Sequence, residues 1–214
     1  MLSSVIPGLA KVRASASRMK SSNNLKQIAL AMHSYHDAHG HFPPAAILDK
    51  DGKPLLSWRV AILPFLEQEP LYKEFHLEEP WDSEHNKKLL SKMPKLYALV
   101  NIEPTDPYTT IYKVFTGKST VFEDPNGIRI ADITDGTSNT FLVVEGDGPV
   151  PWTKPEDLPF DPEKKLPKLG GQFDEGFLAA LCDGSVRFIS HQANENLLRA
   201  LITRNGNEKI DGVP

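Results

Sequence analysis

The chain has 214 residues, a formal net charge of −4 at pH 7 and a sequence pI near 6.0. This length suits a single well-buried domain, and the acidic balance excludes a general attraction to nucleic acid, which needs clustered Lys and Arg. The single cysteine, Cys182, excludes an intramolecular disulfide.

The first twenty residues carry apolar side chains at alternating steps of three and four. They are Leu2, Val5, Leu9, Val12, Ala16 and Met19, here called the apolar stripe. This spacing is typical of a coiled-coil helix. We expect residues 1–24 to be the N-terminal half of a long helix that assembles with protein partners or with copies of itself. The alternative is a break near Ser21 to Asn24 that turns this half back onto the domain.

Residues 22–43 predict a second helical segment with an abrupt end. At about 100° per residue, its apolar positions fall in one arc roughly opposite the apolar stripe. The arc comprises Leu25, Ile28, Ala29, Met32, Tyr35, His36 and His39. Gly40 and Pro43 then end the helix. We expect this arc to pack on the head domain, residues 25–214.

Four of the seven histidines lie close together in this region and raise the hypothesis of a metal site. They are His33, His36, His39 and His41. Histidines three residues apart can bring two imidazoles together on a helix. However, His36 falls inside the buried arc and His41 beyond the helix end, so packing roles are favoured.

The segment from Ser57 to Phe75 predicts short, kinked helices. Ser57 is a candidate N-cap, and Pro64 and Pro70 interrupt the helical pattern. A further helix is expected after Asp82 or Ser83 and ends at Pro94. Extended structure is expected from residue 97 onward, with strands around residues 111–115, 120–122 and 140–145. The proline-dense segment 149–167 is expected to wrap the surface.

Of the three tryptophans, Trp58 and Trp81 are interpreted as core or rim residues, and Trp152 as the residue that anchors the 149–167 segment. An alternative is that these rings contact a ligand, together with the polar loop ITDGTSN at residues 133–139. That alternative would make the protein a ligand- or solute-binding module.

Asp183-Gly184 joins two apolar runs and predicts a two-residue type I′ hairpin. The predicted cross-strand pairs are Leu181 with Val186 and Ala179 with Phe188, which form a face that covers the opening helix. A closing helix follows, with Asn194 near its start and Gly206 near its end.

Asp132, Asp135 and Asp183 are weak candidates for a calcium site, since hard cations take carboxylate and carbonyl oxygens. The ITDGTSN composition is also typical of a turn held by hydrogen bonds from side chains to backbone, and this interpretation is favoured over the calcium site. We therefore expect no cofactor, with calcium as the alternative.

The sequence contains no catalytic motif such as GxSxG, HExxH, a P-loop or a dinucleotide fingerprint. Ser138, Ser185 or Cys182 could act as a nucleophile only with a His and an acid within reach. We expect a protein that is not an enzyme, with a hydrolase as the least favoured interpretation.

Five segments together resemble the bacterial family known as domain of unknown function 1559. They are SNNLKQIALAMHSYHDAHGHFPPA, SWRVAILPFLEQEPLY, ITDGTSNTFLVVE, VPWTKPEDL and CDGSVRFIS. The resemblance implies a protein similar to type IV pilins and pseudopilins, with a prepilin-type N-terminal helix and a signature of His, nine residues and Asp-Gly. Here Asp183-Gly184 is kept, but Phe173 stands where the histidine is expected.

The expected fold is therefore α+β and pilin-like: a long N-terminal helix on an antiparallel sheet, with short helices and long proline-rich loops. The resemblance implies a non-enzymatic structural subunit of the cell envelope or of the extracellular surface. The chain as given carries no signal peptide or transmembrane segment. Membrane attachment would need an upstream anchor that this chain lacks.

Overall fold

The computed structural model describes residues 7–208, with side chains from residue 11 onward. Its first element, α1 (Pro7–His39), is one unbroken helix about 50 Å long. The long helix is therefore confirmed, and the alternative of a break near residues 21–24 is not what the structure shows. Of the apolar stripe, Leu2, Val5 and the side chain of Leu9 lie outside the described residues. Gly40 ends α1 in a left-handed conformation, with φ at 82°.

The remaining helices are short, as the prolines predict. They are α2 (Trp58–Ala61), α3 (Glu69–Glu74) and α4 (Glu195–Ile202), with 3₁₀ turns at Leu63–Leu66, Asn86–Lys92, Lys95–Tyr97, Ile130–Asp132 and Thr137–Asn139. Ser57 accepts the N–H of Arg59 and caps α2 as predicted. Asn194 caps α4 in the same way. Among residues 7–208, no helix has both the length and the apolarity needed to cross a membrane.

The strands form one main sheet and two small ones. Their bounds are β1 (Ala46–Leu48), β2 (Pro54–Ser57), β3 (Thr109–Lys113), β4 (Phe115–Thr116), β5 (Phe141–Pro151), β6 (Leu158–Pro159), β7 (Gly176–Leu181) and β8 (Val186–Ser190). The main sheet has the order β3-β5-β7-β8, and all its neighbours are antiparallel. The fold is therefore α+β, as predicted. The prediction of a strand at residues 120–122 is wrong, because that segment forms turns.

The pairing of β7 with β8 differs by one residue from the prediction. The sequence predicts the pairs Leu181–Val186 and Ala179–Phe188. In the structure, Ala180 pairs with Val186 and Leu178 pairs with Phe188.

The reason for the shift is the length of the hairpin loop. The Leu181 N–H donates to the Ser185 carbonyl, and the Gly184 N–H donates to the Leu181 carbonyl. Gly184 is left-handed, with φ at 84°, so three residues turn the chain rather than two. A slip of one residue exchanges the two faces of a strand. Leu178 and Ala180, not Ala179 and Leu181, therefore lie on the side that faces α1.

The main sheet buries apolar side chains on both faces. On one face, Ile28 and Met32 of α1 lie in the same core cluster as Leu178. On the other face, Phe177 lies in a second cluster with Leu201 of α4. The apolar run of β7 is buried at every position because each face has its own helix.

A buried ion pair joins α2 to the sheet. Arg59 has no exposed surface, and its Nη2 lies 2.9 Å from Oδ1 of Asp157. Its Nε and Nη2 also donate to the Tyr112 carbonyl at 2.9 and 2.6 Å, and its Nη1 donates to Ser57 Oγ at 2.6 Å. The guanidinium thus replaces its lost water contacts with protein acceptors.

The Asp157 carboxylate accepts two further hydrogen bonds, from Trp58 Nε1 at 3.2 Å and from the Val114 N–H at 2.9 Å. Burial raises the pKa of this carboxyl, and the nearby Arg59 charge opposes that rise. The pair holds the residues just before β6 against β3 and α2.

Replacing Asp157 by Ala should destabilise the fold severely, because it leaves the buried Arg59 charge without a counter-ion. We expect the free energy of unfolding to fall by about 3–5 kcal/mol, measured by urea denaturation. The control is Glu84→Ala, which removes an exposed pair with Lys88 at 3.3 Å and should change it by less than about 1 kcal/mol. Equal effects of the two substitutions would contradict this account.

Candidate assembly face and its polar anchor

The side of α1 that points away from the head carries an exposed apolar row. Val12, Met19 and Leu30 are 65%, 63% and 67% exposed, the highest values for large apolar side chains among the described residues. At about 100° per residue, all three fall within 20° of one another around the helix axis. We call this row, together with the exposed Ala16, the outer face of α1.

Leu30 extends the outer face beyond the apolar stripe that the sequence predicts. Val12, Ala16, Met19 and Leu30 occupy positions of a single heptad register, with the polar residues Asn23 and Lys26 at the two intervening positions. Leu30 is not part of the predicted stripe, because its neighbours in the chain, such as Ile28, Ala29 and Met32, define the buried side of the helix. Its step of eleven residues from Met19 is the feature that could have revealed it.

Contact between α1 and the head begins before the predicted boundary at residue 24. Ser17 Oγ donates to the Val100 carbonyl at 3.4 Å. The Arg18 guanidinium lies over the Phe188 ring, 3.8 Å from its centroid, and pairs with Glu175 at 3.0 Å. The N-terminal half is therefore supported by the head on one side and exposed on the other.

Glu145 of β5 forms the centre of a buried polar cluster under α1. Its Oε1 accepts from Ser21 Oγ at 2.5 Å and from Gln172 Nε2 at 2.8 Å, and its Oε2 accepts from the Leu178 N–H at 2.8 Å. Glu145 and Ser21 have no exposed surface. Donors from α1, β7 and the segment before β7 therefore converge on one carboxylate.

Tyr112 of β3 extends this cluster along the helix. Its hydroxyl lies 2.7 Å from Ser21 Oγ and 3.2 Å from Asn24 Nδ2. Since the Ser21 hydrogen is directed at Glu145, the Tyr112 hydroxyl donates to Ser21 and accepts from Asn24. The chain of donors thus runs from Asn24 through Tyr112 and Ser21 to Glu145. We call these four residues and Gln172 the polar anchor.

Burial determines the protonation behaviour of the polar anchor. It raises the pKa of Glu145, although hydrogen bonds from Ser21, the Leu178 N–H and Gln172 favour the charged form and oppose the rise. Burial also raises the pKa of Tyr112 to about 12, so its phenol stays protonated. The anchor fixes the position and rotation of α1, because a shifted helix would leave a buried carboxyl short of donors.

The histidines of α1 are distributed around its C-terminal end as packing residues. His33 and His36 both pack against Phe42, with ring centroids 5.4 and 5.3 Å away. His36 Nε2 accepts the Ile130 N–H at 3.3 Å, and His41 Nδ1 donates to the Phe42 carbonyl at 2.8 Å. Within residues 7–208, no three His, Cys, Asp or Glu side chains form a group suited to a metal ion.

The tryptophans do not line a common pocket. Trp58 and Trp152 have no exposed surface, and Trp152 Nε1 donates to the Leu90 carbonyl at 3.1 Å. Trp81 is half-buried, with Lys154 Nζ 5.7 Å from its ring centroid. In this structure, Trp58 and Trp152 are core residues that a ligand could not contact without rearrangement of the core.

The three candidate calcium ligands all accept hydrogen bonds from the protein itself. The Asp132 carboxylate accepts from the Arg129 guanidinium at 2.8 and 2.9 Å. The Asp135 carboxylate accepts the N–H groups of Gly206 and Asn207 at 2.6 and 2.8 Å. These carboxylates hold a local turn and the end of the chain that follows α4.

Asp183 is likewise used within its own turn, where Oδ1 accepts the Ser185 N–H at 2.8 Å. The N–H groups of Asp183 and Cys182 donate to the carbonyls of Thr137 and Thr140. The ITDGTSN loop and the hairpin are therefore adjacent, as the calcium hypothesis assumed. Their contacts, however, are hydrogen bonds between protein groups.

The residues considered for nucleophilic catalysis are only partly assembled. His33 Nε2 is 4.0 Å from the position that a Cβ on Gly184 would occupy. His33 Nε2 and Ser185 Oγ are shielded from solvent, and neither has a partner among the described residues. Cys182 is buried, and its pKa is raised by that burial and by Asp183, which disfavours a thiolate.

The residue at the place of the signature histidine has a packing role. Phe173 is buried and contacts Phe188 edge-on, with ring centroids 6.4 Å apart. The Arg18 guanidinium lies 5.8 Å from its ring centroid. Here an aromatic ring supports α1.

Comparison with known proteins gives one match. Residues 10–108 match a family described as "Protein of unknown function (DUF1559)", the family that the sequence motifs resemble. Neither the curated proteins nor the solved structures gave a significant match. The matched segment contains all of α1 from residue 10 onward, the short helices and the kinked region around Arg59.

The raised pKa of Glu145 predicts how stability depends on pH. A carboxyl whose pKa is raised on folding stabilises the folded state fully below its unfolded value of 4.5, and this contribution is lost as the pH rises through the folded pKa. The free energy of unfolding of the natural protein minus that of Glu145→Gln should therefore decrease from about pH 4.5 towards neutral pH. Urea unfolding at a series of pH values measures this difference.

The control for this prediction is Glu69→Gln. The hydrogen bond and charge of Lys73 lower the pKa of the exposed Glu69, so the corresponding difference should change in the opposite direction, growing as the pH rises in the acid range. If the free energy of unfolding of the natural protein minus that of Glu145→Gln instead grew with pH, as for Glu69, the account would be wrong. The hydrogen bonds to Glu145 would then lower its pKa more than burial raises it.

Proposed function

We propose that this chain, of which residues 10–108 match the DUF1559 family, is a non-enzymatic, pilin-like subunit that assembles with further copies of itself through the outer face of α1. The observation that supports this proposal is the exposure of Val12, Met19 and Leu30 along one side of a continuous helix. Apolar side chains aligned in this way gain free energy when a partner covers them.

A second copy of the same chain is the occupant that best fits this face. Its side chains follow a heptad register, and a heptad row packs against a matching row on another helix. Fully burying a large apolar side chain contributes about 1.5–3 kcal/mol, so three such residues on each of two helices provide a substantial driving force. Ala16 allows the two helix backbones to approach closely.

The polar anchor supports the proposed assembly because it holds α1 in one position on the head. Glu145, Ser21 and Tyr112 fix α1 on the sheet, so the outer face keeps a defined orientation relative to the head. Arg18 holds the next turn through Phe188 and Glu175. A helix held in this way transmits the geometry of the head to an assembly.

The non-enzymatic part of the proposal is supported by the candidate nucleophiles and carboxylates. Cys182 is buried and its thiolate is disfavoured, while Asp132, Asp135 and Asp183 hold turns. The cell-envelope location is carried over from the pilin-like character that the family resemblance implies. These two parts of the proposal are independent of the assembly contact, so evidence against them would not contradict self-association through α1.

Self-association should depend on the outer face. We expect the natural chain to associate as its concentration rises in sedimentation velocity experiments. Replacing Val12, Met19 and Leu30 by Asp should weaken that association at least about tenfold, because charge replaces apolar area in a buried contact. The control is Tyr108→Asp, at an exposed apolar residue outside α1, which should associate like the natural chain.

A cysteine substitution locates the contact directly. Because Cys182 is buried, Ala16→Cys adds a single accessible thiol. Oxidation should yield covalent dimers if two α1 helices meet at this position, since a disulfide needs Cα atoms within about 7 Å. Tyr108→Cys is the matched control. A natural chain that stays monomeric at every concentration, with no enrichment of Ala16→Cys dimers, would refute the proposal.

A further inference from the structure

A cleft of about 350 Å³ lies beside the C-terminal end of α1. It is lined by Tyr35 and His39 of α1 and by Pro64, Phe65 and Tyr72 of the short-helix region. Its volume is within the range of small-molecule sites. Around the helix axis Tyr35 is about 140° from Leu30, so the cleft and the outer face of α1 can be occupied at the same time.

The walls of the cleft present aromatic surfaces in fixed positions. Tyr35 stacks on His39, with ring centroids 4.0 Å apart and an interplanar angle of 19°. Phe65 meets both rings nearly at right angles, at centroid distances of 5.6 and 5.9 Å. These mutual contacts restrict ring rotation, so the apolar surface is organised before any ligand enters.

Three hydrogen-bonding groups line the same cleft. His39 Nδ1 lies 2.9 Å from the Tyr35 carbonyl, and a carbonyl only accepts, so Nδ1 carries the proton and Nε2 is an acceptor in the neutral imidazole. Tyr35 and Tyr72, both half-buried residues of the lining, each carry a hydroxyl that can donate and accept hydrogen bonds. Burial raises the pKa of both phenols, which keeps them protonated as donors.

The lining of the cleft carries no Asp, Glu, Lys or Arg. An ionic ligand would find no counter-charge in the cleft, so no ion pair would offset the free-energy cost of removing its hydration water. The cleft therefore favours an uncharged ligand with a flat apolar surface and with groups that both donate and accept hydrogen bonds.

We propose that this cleft binds a neutral sugar ring. The C–H face of a pyranose packs on aromatic rings, and its hydroxyls act as both donors and acceptors, which matches two phenols and one imidazole acceptor. A purely hydrocarbon ligand would fill the walls but leave these three polar groups unpaired. The site does not depend on the proposed assembly function, and either can be present without the other.

The test is a titration followed by saturation-transfer NMR. The probes are glucose, galactose, mannose, N-acetylglucosamine and cellobiose, each added alone, with p-cresol as an uncharged aromatic comparison. We expect saturable binding of at least one sugar. In the double variant Tyr35→Phe/Tyr72→Phe, which keeps both rings, its affinity should fall about tenfold or more, since each lost hydrogen bond lowers affinity several-fold.

Tyr108→Phe is the matched control, because it removes a hydroxyl from an exposed tyrosine outside the cleft, and it should bind like the natural chain. The single variant Tyr72→Phe gives the same readout with a smaller loss if the double variant unfolds. Saturation by p-cresol alone, saturation by none of the probes, or an unchanged sugar affinity in the Tyr72→Phe and double variants would each overturn the proposal.

Discussion

A carboxyl buried between a helix and a sheet must find hydrogen-bond donors from both, and Glu145 imposes that requirement on this protein. Ser21 supplies the donor from α1, and the Leu178 N–H supplies the donor from the neighbouring strand. Moving α1 along its axis by one turn, about 5.4 Å, would remove Ser21 and leave the carboxyl short of donors. Apolar packing alone tolerates such slips more readily than a hydrogen-bonded group does.

Tyr112 connects this requirement to the rest of the fold. Its hydroxyl belongs to the polar anchor beneath α1, while its carbonyl accepts two hydrogen bonds from the buried Arg59. Arg59 in turn pairs with Asp157. A single residue of β3 therefore joins the long helix, the short-helix region and the loop before β6 through polar contacts sealed from water, where such contacts are strong.

This arrangement gives the two sides of α1 different characters. Its buried side is fixed by polar contacts that specify position, and its outer side remains apolar and exposed at Val12, Met19 and Leu30. Beyond the anchor, near the end of α1, Tyr35 and His39 contribute to a cleft of different chemistry, with uncharged aromatic walls. The position of each surface follows from the rotation of α1 that the anchor fixes.

The sequence alone predicted elements whose determinants are local. Gly40 ends α1, Ser57 and Asn194 cap helices, and Pro64 and Pro70 keep the helices short, because caps and breakers act within a few residues. The arc of α1 from Leu25 to Met32 and the α+β class were also predicted, since periodicity records which side of an element meets the core. His39, which the same arc placed on the buried side, is exposed because it lies in the last turn of the helix. The hairpin register was not, because choosing a three-residue loop over a two-residue one depends on how Cys182 and Asp183 bond to the neighbouring loop.

Only the tertiary structure determined the contacts between residues that are far apart in the chain. Glu145 is 124 positions from Ser21 and Arg59 is 98 positions from Asp157, and neither pairing follows from spacing or composition. The cleft around Tyr35 and Tyr72 has the same origin, since its walls come from α1 and from the short-helix region that packs against it. The sequence by itself determined the local elements and the two faces of α1, because periodicity and turn residues are local. The tertiary structure determined where buried polar groups meet, because their partners are selected by the packing of the whole chain.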